Sequence, residues 1–552
     1  MPTTRFHLHW PSIVASKPLV KPVLIAMAAL FLFCLPLNQI KLAVSGIQHP
    51  SIALTFLLAV AIICFGLWEI ARQKRFCMTS LTGWMLLSAL FAAVPALYLH
   101  AELGASLWHL SGIVIALLVF STLQQFSFNH FQRQYLLWLP LLSGWLIALL
   151  FLLPGLLQAS GFQESSWQVD SFYKGTASIV LLTALALSAY LLARTRVYKR
   201  NIVPVHILLL ATPLITLCAL MALHQTWIIT VAILITILIQ PFLFRFCRKL
   251  HHGLWNCAVL VGFLVTGYAG WLPSAALFSP PFSAQEMSVI EQTLALLNSA
   301  QFEGVGLGQQ FTAQLLFGVE SQQVLPMPTP YPSWLAKSLA EGGLALCAGL
   351  GLLAVLVVRR LNDAPWGTRL MLTAIVLPSL IGIAATPFVS VNPALALLFV
   401  ILLYWIDNLS ARYKRISVRP IKAIKLAAST CLILVSMLVF SSVYLGEQAL
   451  RTYEISDNKL TQYQAHPWWQ SFYREEAGRR AFLTSVESRD IRAQEAYLHQ
   501  QVRQLTSNPN ADGYQSLIEL AMLTGNKAMA KQIKQEANSL FPDRVFQPSF
   551  SE

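Results

Sequence analysis

Charge is what this chain has least of. Only 11% of its 552 residues are Asp, Glu, Lys or Arg, against 56% hydrophobic, and the mean hydropathy is +0.60. A soluble protein of this length has too little interior to hide that much apolar surface, which excludes a water-soluble globular fold. Disulfide spacing is missing as well. The eight cysteines (Cys34, Cys64, Cys77, Cys218, Cys247, Cys257, Cys347, Cys431) fall in apolar runs or in the basic loops between them, with no Cys-x-x-Cys. They read as free buried thiols and exclude a disulfide frame. No Walker or other nucleotide motif occurs. Acids are nearly absent from the apolar runs: Glu69 and Asp407 stand at run ends beside basic residues. That scarcity, with no visible inverted repeat, argues against an ion-coupled transporter, which carries ionisable groups at the bilayer midplane.

What is present is a series of apolar runs near 22–42, 51–71, 79–99, 104–125, 134–157, 175–193, 202–222, 226–244, 253–273, 338–358, 369–388, 391–407 and 424–445. About 20 apolar residues span a hydrocarbon core of ~30 Å, and backbone in lipid must satisfy its own hydrogen bonds. Each run is therefore expected to be a helix, and the fold class all-α: a polytopic bundle of about thirteen transmembrane helices. The first run is too long for a signal-peptide core and lacks a small-residue cleavage site.

The net charge of +14 resembles a nucleic-acid signal until it is mapped. After residue 446 there are 12 basic and 13 acidic residues, leaving 26 basic and 11 acidic before it. The excess sits in alternate loops: Arg72/Lys74/Arg75, Arg133, Arg194/Arg196/Lys199/Arg200, Arg245/Arg248/Lys249, Arg359/Arg360 and Arg412/Lys414/Arg415/Arg419. The other loops hold little beyond Lys41, Lys174 and Lys337. This is a topology signal, not a nucleic-acid site: basic loops stay in the cytosol. The N-terminus is expected inside and the C-terminus outside. The resulting division is 1–273 (helices one to nine), 274–337 (a large outside loop), 338–445 (helices ten to thirteen) and 446–552 (a soluble outside tail).

The large loop has internal order. Residues 283–300 read as a helix with Ile290, Leu294 and Leu297 as its apolar stripe. Gly304-Val305-Gly306-Leu307-Gly308 follows, then Pro326-Met327-Pro328-Thr329-Pro330-Tyr331-Pro332, which is held extended because each proline biases its predecessor away from helix. In the tail, Tyr514, Leu517, Leu520 and Ala521 form one helical stripe. Gly525-Asn526 breaks it, and Ala528, Ala530, Ile533, Ala537 and Leu540 form a second. This is a helix–turn–helix of tetratricopeptide kind, expected to pack on a preceding helix near 491–505. It serves either as a stability cap or as a docking surface for a protein acceptor. Trp468-Trp469, just past the last run, reads as packing at the membrane surface. His251-His252 and His7/His9 read as cytoplasmic flanks.

Three passages carry a family resemblance. Gln301-Phe302-Glu303-Gly304-Val305-Gly306-Leu307-Gly308-Gln309-Gln310-Phe311 is similar to the Gly-x-Gly-x-Gly-x-Phe passage in the large loop of the O-antigen ligase / O-antigen polymerase superfamily. Residues 330–343, ending in Leu339-Ala340-Glu341-Gly342-Gly343, resemble that family's lead into the next helix. Gly155-Leu156-Leu157-Gln158 with Ser160-Gly161-Phe162 resembles the end of an earlier helix in its glycosyl-ligase branch. The layout resembles most closely the bacterial pilin-type O-oligosaccharyltransferases. The resemblance implies a bacterial inner-membrane transferase working at the periplasmic face. Its donor would be an undecaprenyl-diphosphate-linked glycan and its acceptor a glycan, lipid A core or protein hydroxyl, with membrane lipid around it and no cofactor or metal. Such chemistry needs cations for the diphosphate and a base for the acceptor proton.

Some family positions are filled differently here. Between Ser274 and Ala336 there is no Lys, Arg, His or Asp. The family's arginine early in the loop helix falls on Glu286, and its His and Asn before the next helix fall on Pro332 and Ser333. Its Asn-His pair falls in Lys174-Gly175-Thr176-Ala177, and an arginine before the eighth helix falls in His224-Gln225-Thr226-Trp227. The site candidates are therefore Glu341 and His224 as catalytic groups. Lys174, Lys337, Gly304, Gly306, Gly308 and Tyr331 are the substrate-binding candidates. Each has a plain structural alternative: Lys174 and Lys337 as snorkelling helix-end residues, His224 as a turn residue, Glu341 as a helix cap, Tyr331 as packing. A non-catalytic scaffold in envelope glycan or pilus assembly is the second expectation, and a lipid-linked glycan transporter the third.

Overall fold

The structure is a computed structural model describing residues 19–38, 50–99, 101, 103–159, 171–194, 203–223, 226–268, 291, 293–298, 302–309, 313, 334–386, 392–410, 412–419, 421–451, 457–466, 468–488, 490–507, 511–523, 525–540 and 546. Each of the thirteen apolar runs coincides with a helix: α1 (Val20–Leu37), α2 (Pro50–Gln73), α3 (Ser80–Ala93), α4 (Leu103–Leu123), α5 (His130–Ala159), α6 (Ser171–Arg194), α7 (Val203–Ala222), α8 (Thr226–Phe246), α9 (Lys249–Tyr268), α10 (Trp334–Asp363), α11 (Arg369–Ala385), α12 (Pro393–Ser410) and α13 (Ile421–Arg451). Among the described residues eleven are long and apolar enough to cross a membrane. The chain is an all-α, multi-pass membrane protein.

Burial orders the helices. The apolar window of α6 is 89% buried and forms the bundle core, whereas those of α4 and α13 are 17% buried. On α13 the exposed Ile433, Leu434, Met437 and Phe440 present the apolar surface that a bilayer covers. Small residues allow the close approaches: a Cβ on Gly144 of α5 would lie 2.5 Å from Ala184 of α6.

The basic loops gather at one end. Arg75–Met78 (β1) pairs antiparallel with Lys414–Ser417 (β2), a ribbon of only four residues per strand that the sequence pattern did not anticipate. Arg360 of α10 donates to Ser80 Oγ at 2.7 Å and meets Asp407 of α12 at 3.0 Å. Gln134 donates to the Arg194 carbonyl, and the Arg194 guanidinium lies 4.5 Å from the Phe246 ring. A Cβ on Gly367 would touch the Arg245 guanidinium. These contacts tie together the loops that the charge pattern groups. Both buried acids at this end are engaged: Glu69 accepts from Gln73 at 2.7 Å and pairs with Arg72. The opposite end carries the 302–308 segment and the start of α10, and α13 delivers the tail there too.

The tail helices are α14 (Asp457–Ala465), α15 (Gln470–Ser488), α16 (Ile491–Ser507), α17 (Ala511–Leu523) and α18 (Lys527–Leu540). Tyr514, Leu517, Ile518 and Ala521 of α17 meet Ala530, Ile533 and Ala537 of α18 and Leu498 and Leu505 of α16, the preceding helix expected from the stripe. Ala528 is exposed, so the second stripe is one residue narrower than the pattern suggested. Gly525, at φ +75, takes the left-handed turn between α17 and α18, and Asn526 Oδ1 caps Met529 N–H. Trp469 is a correction: it lies buried, donating its indole N–H to Ser442 Oγ of α13 at 3.0 Å, while Trp468 packs edge-on against Phe56 of α2. The pair docks the tail on the bundle instead of lying in lipid.

Within the tail Tyr514 Oη donates to Glu536 Oε1 at 2.7 Å. Burial first, and then this carboxylate, hold the Tyr514 phenol above its ordinary value. A raised acid favours the folded state below the unfolded value of about 10 and loses that contribution as pH climbs toward the folded value. Tyr514→Phe is expected to destabilise the α17–α18 unit by about 1.5–3 kcal/mol at neutral pH and to flatten its decline above about pH 10. Hydrogen exchange over 511–540 in the full chain reads both effects.

Candidate functional site

At the end opposite the basic loops α10 breaks. Gly343 has φ +56 and ψ −151, a region only glycine occupies without strain. The break opens backbone groups that the 302–308 segment takes up. Val305 N–H donates to the Ala340 carbonyl at 2.9 Å, Gly306 N–H to the Glu341 carbonyl at 3.0 Å, and Leu344 N–H to the Phe302 carbonyl at 3.0 Å. The fit is backbone on backbone: a Cβ on Gly304 would stand 2.6 Å from Gly343 N, and one on Gly343 would stand 2.3 Å from the Glu303 carbonyl oxygen. Gly304, Gly306 and Gly308 all have positive φ, which is why glycine recurs at alternate positions here. The described part of the loop helix, 293–298, buries Thr293, Leu296 and Leu297. Leu294, placed on the apolar stripe by spacing, is 53% exposed.

The segment closes one end of a cavity of about 380 Å³ between α2, α3, α4, α10 and α12. Its shaft is apolar, lined by such residues as Ile52, Met85, Ala116, Leu353 and Leu403. Its polar lining includes Lys337, Ser338, Glu341, Gly308 and His109. Along α12 the lining runs from Pro393 to Leu403, roughly 15 Å at the helical rise. Glu341 is 6% exposed; its Oε1 accepts the Gly308 N–H at 3.2 Å and lies 3.9 Å from Lys337 Nζ. The carboxylate thus joins the loop segment to the only lysine among the cavity's lining residues. His109 places Nε2 2.8 Å from the Ala92 carbonyl of α3. Beside the shaft, Asn38 Nδ2 donates to Asn392 Oδ1 at 3.0 Å, and Ser51 Oγ donates to Asn38 Oδ1, an entirely buried amide and hydroxyl cluster.

Of the residues singled out from sequence, Glu341, Lys337 and Gly308 line this cavity, and Gly304 and Gly306 fasten the segment that closes it. Lys174 is at the same end but outside the lining; its neighbour Gly175 packs on Thr386, whose carbonyl accepts from Trp334 N–H. His224 and Tyr331 lie outside the described residues, as do Glu286, Pro332 and Ser333. His109 was not found by sequence reasoning. A lone histidine inside an apolar run belongs to no motif, and the only available signal was that ionisable side chains within membrane spans are rare.

No curated protein and no solved structure matches the chain. Residues 392–549, comprising α12, α13 and nearly all of the tail, match the family model described as virulence factor membrane-bound polymerase, C-terminal. Over that stretch the chain is similar to a membrane-bound polymerase C-terminal region, which agrees with the O-antigen ligase and polymerase resemblance at that coarse level.

Proposed function

We propose that the protein is an envelope glycan transferase that moves a glycan from an undecaprenyl-diphosphate carrier to an acceptor hydroxyl on a glycan or a protein. The observation that carries this reading is the cavity: a largely apolar shaft within the bundle whose lining includes Lys337, Glu341, His109 and Gly308. An isoprenoid chain suits the shaft, and a diphosphate requires a cation at the mouth, which Lys337 supplies. The polymerase match over α12 and the tail supports the same class. The reading places the protein in the bacterial inner membrane, with the N-terminus in the cytoplasm. The mouth, the 274–337 loop and the tail face the periplasm, following the basic loops at the other end. Glu341 acts by holding the loop and Lys337 in register, and His224, Lys174 and Tyr331 remain candidates for the acceptor side.

The test is transfer from a prenyl-diphosphate-linked oligosaccharide to glycan and peptide acceptors by the purified full chain. Wild-type transfer is expected. Lys337→Ala is expected to lower kcat/KM by roughly 100-fold, the scale of removing one preorganised charge contact, with Lys337→Arg retaining most of it. A second reading, a catalytically silent partner in envelope assembly, is favoured by the absence of Lys, Arg, His and Asp between Ser274 and Ala336. Failure of the wild type to transfer to any acceptor would select it.

A further inference from the structure

We infer that the base for this transfer is His109, acting through Nδ1; the inference rests on the transferase reading above. After Ala93, α3 tightens into a 3-10 turn, Val94–Leu97. In a 3-10 turn the donor to the Ala92 carbonyl is residue 95, a proline with no N–H. His109 fills that role from α4, with Nε2 2.8 Å from the Ala92 oxygen. A carbonyl only accepts, so Nε2 carries the proton, and the neutral ring is left with its lone pair on Nδ1. Among the described residues nothing hydrogen-bonds Nδ1. The imidazole is thus held by one nitrogen and presents the other as an acceptor, on a side chain lining the same cavity as Lys337.

Glu341, the base suggested by sequence, is placed differently. Its Oε1 is engaged by the Gly308 N–H and faces the Lys337 ammonium. A carboxyl group so held orients its neighbours. In the step assigned to His109, the acceptor hydroxyl oxygen forms a bond to the anomeric carbon of the donor sugar. The bond from that carbon to the diphosphate oxygen breaks, and its electron pair leaves with the prenyl diphosphate beside Lys337. The hydroxyl proton passes to Nδ1, and the resulting imidazolium later releases it to water. The titratable groups facing His109 across the cavity are Lys337 and Glu341, both on α10; α2, α3 and α12 contribute only apolar and hydroxyl side chains to the lining.

The experiment is steady-state transfer by the purified full chain, using a prenyl-diphosphate-linked oligosaccharide and an acceptor the wild type accepts. His109→Ala is expected to lower kcat by about 100-fold or more, with the donor KM within about twofold of wild type. His109→Gln, which keeps a donor for Ala92 but no basic nitrogen, is expected to lose as much. The wild-type kcat should rise with pH as the imidazole loses its proton, and both variants should lack that limb. Unchanged kcat, or a raised KM with kcat intact, overturns the assignment while leaving the transferase reading standing. A wild type that transfers to no acceptor overturns both.

Discussion

Gly343→Ala is expected to undock the 302–308 segment from α10 and to reduce glycan transfer by about 100-fold. Two separate physical terms act at this residue. Its φ of +56 and ψ of −151 are adopted by residues other than glycine only with strain, roughly 1–2 kcal/mol. Its added methyl would stand 2.3 Å from the Glu303 carbonyl oxygen, a backbone atom that cannot rotate away; relief by shifting the chain costs about 1–3 kcal/mol. Together these come to about 3 kcal/mol, or two powers of ten in the docked population. Hydrogen exchange at residues 302–308 should accelerate in parallel with the loss of transfer. Gly351→Ala on the same helix is the control. A Cβ there meets nothing within 4 Å, so exchange and transfer should stay at wild-type levels. Equal behaviour of the two variants would refute the docking account.

The second large effect is expected at the other end of α10. Asp407 is fully buried and its carboxylate lies 3.0 Å from Arg360 Nε. Arg360→Met would leave that carboxylate in an apolar interior without its cation, a change worth about 3–5 kcal/mol. The measurement is thermal unfolding of the detergent-solubilised chain. The single variant should melt far below wild type. The double variant Arg360→Met with Asp407→Leu should recover most of the loss, since replacing both members of a buried pair removes the stranded charge. A double variant no more stable than the single would show that the pair is not the cause.

The bundle was legible because lipid imposes a length and a composition on every crossing, and a dozen well-spaced loops record which end each turn occupies. The tail repeat was legible for a related reason, since Tyr514, Leu517 and Ala521 recur at helical spacing and meet Ala530, Ile533 and Ala537 across Gly525. The mouth was only half legible. The alternate glycines announced unusual backbone, and Glu341 stood out as an acid at a helix start. That they belong to one object depends on hydrogen bonds joining residues more than thirty positions apart, and no periodicity records those. His109 was hidden more thoroughly. Its role depends on a carbonyl in another helix and on a proline near that carbonyl, so no window containing His109 alone could reveal it. Trp469 misled because an aromatic next to a membrane helix has the same composition whether it faces lipid or a serine on α13.

The interrupted helix also governs how this protein can be recombined with others. Because residues 302–308 supply the hydrogen bonds that α10 forgoes at Gly343, the segment and residues 340–344 behave as one inheritable unit, although 31 residues separate them. A chimaera that imports either piece from a homologue without the other would unite surfaces shaped for different mates. Viable crossovers should therefore fall before the segment or beyond the break.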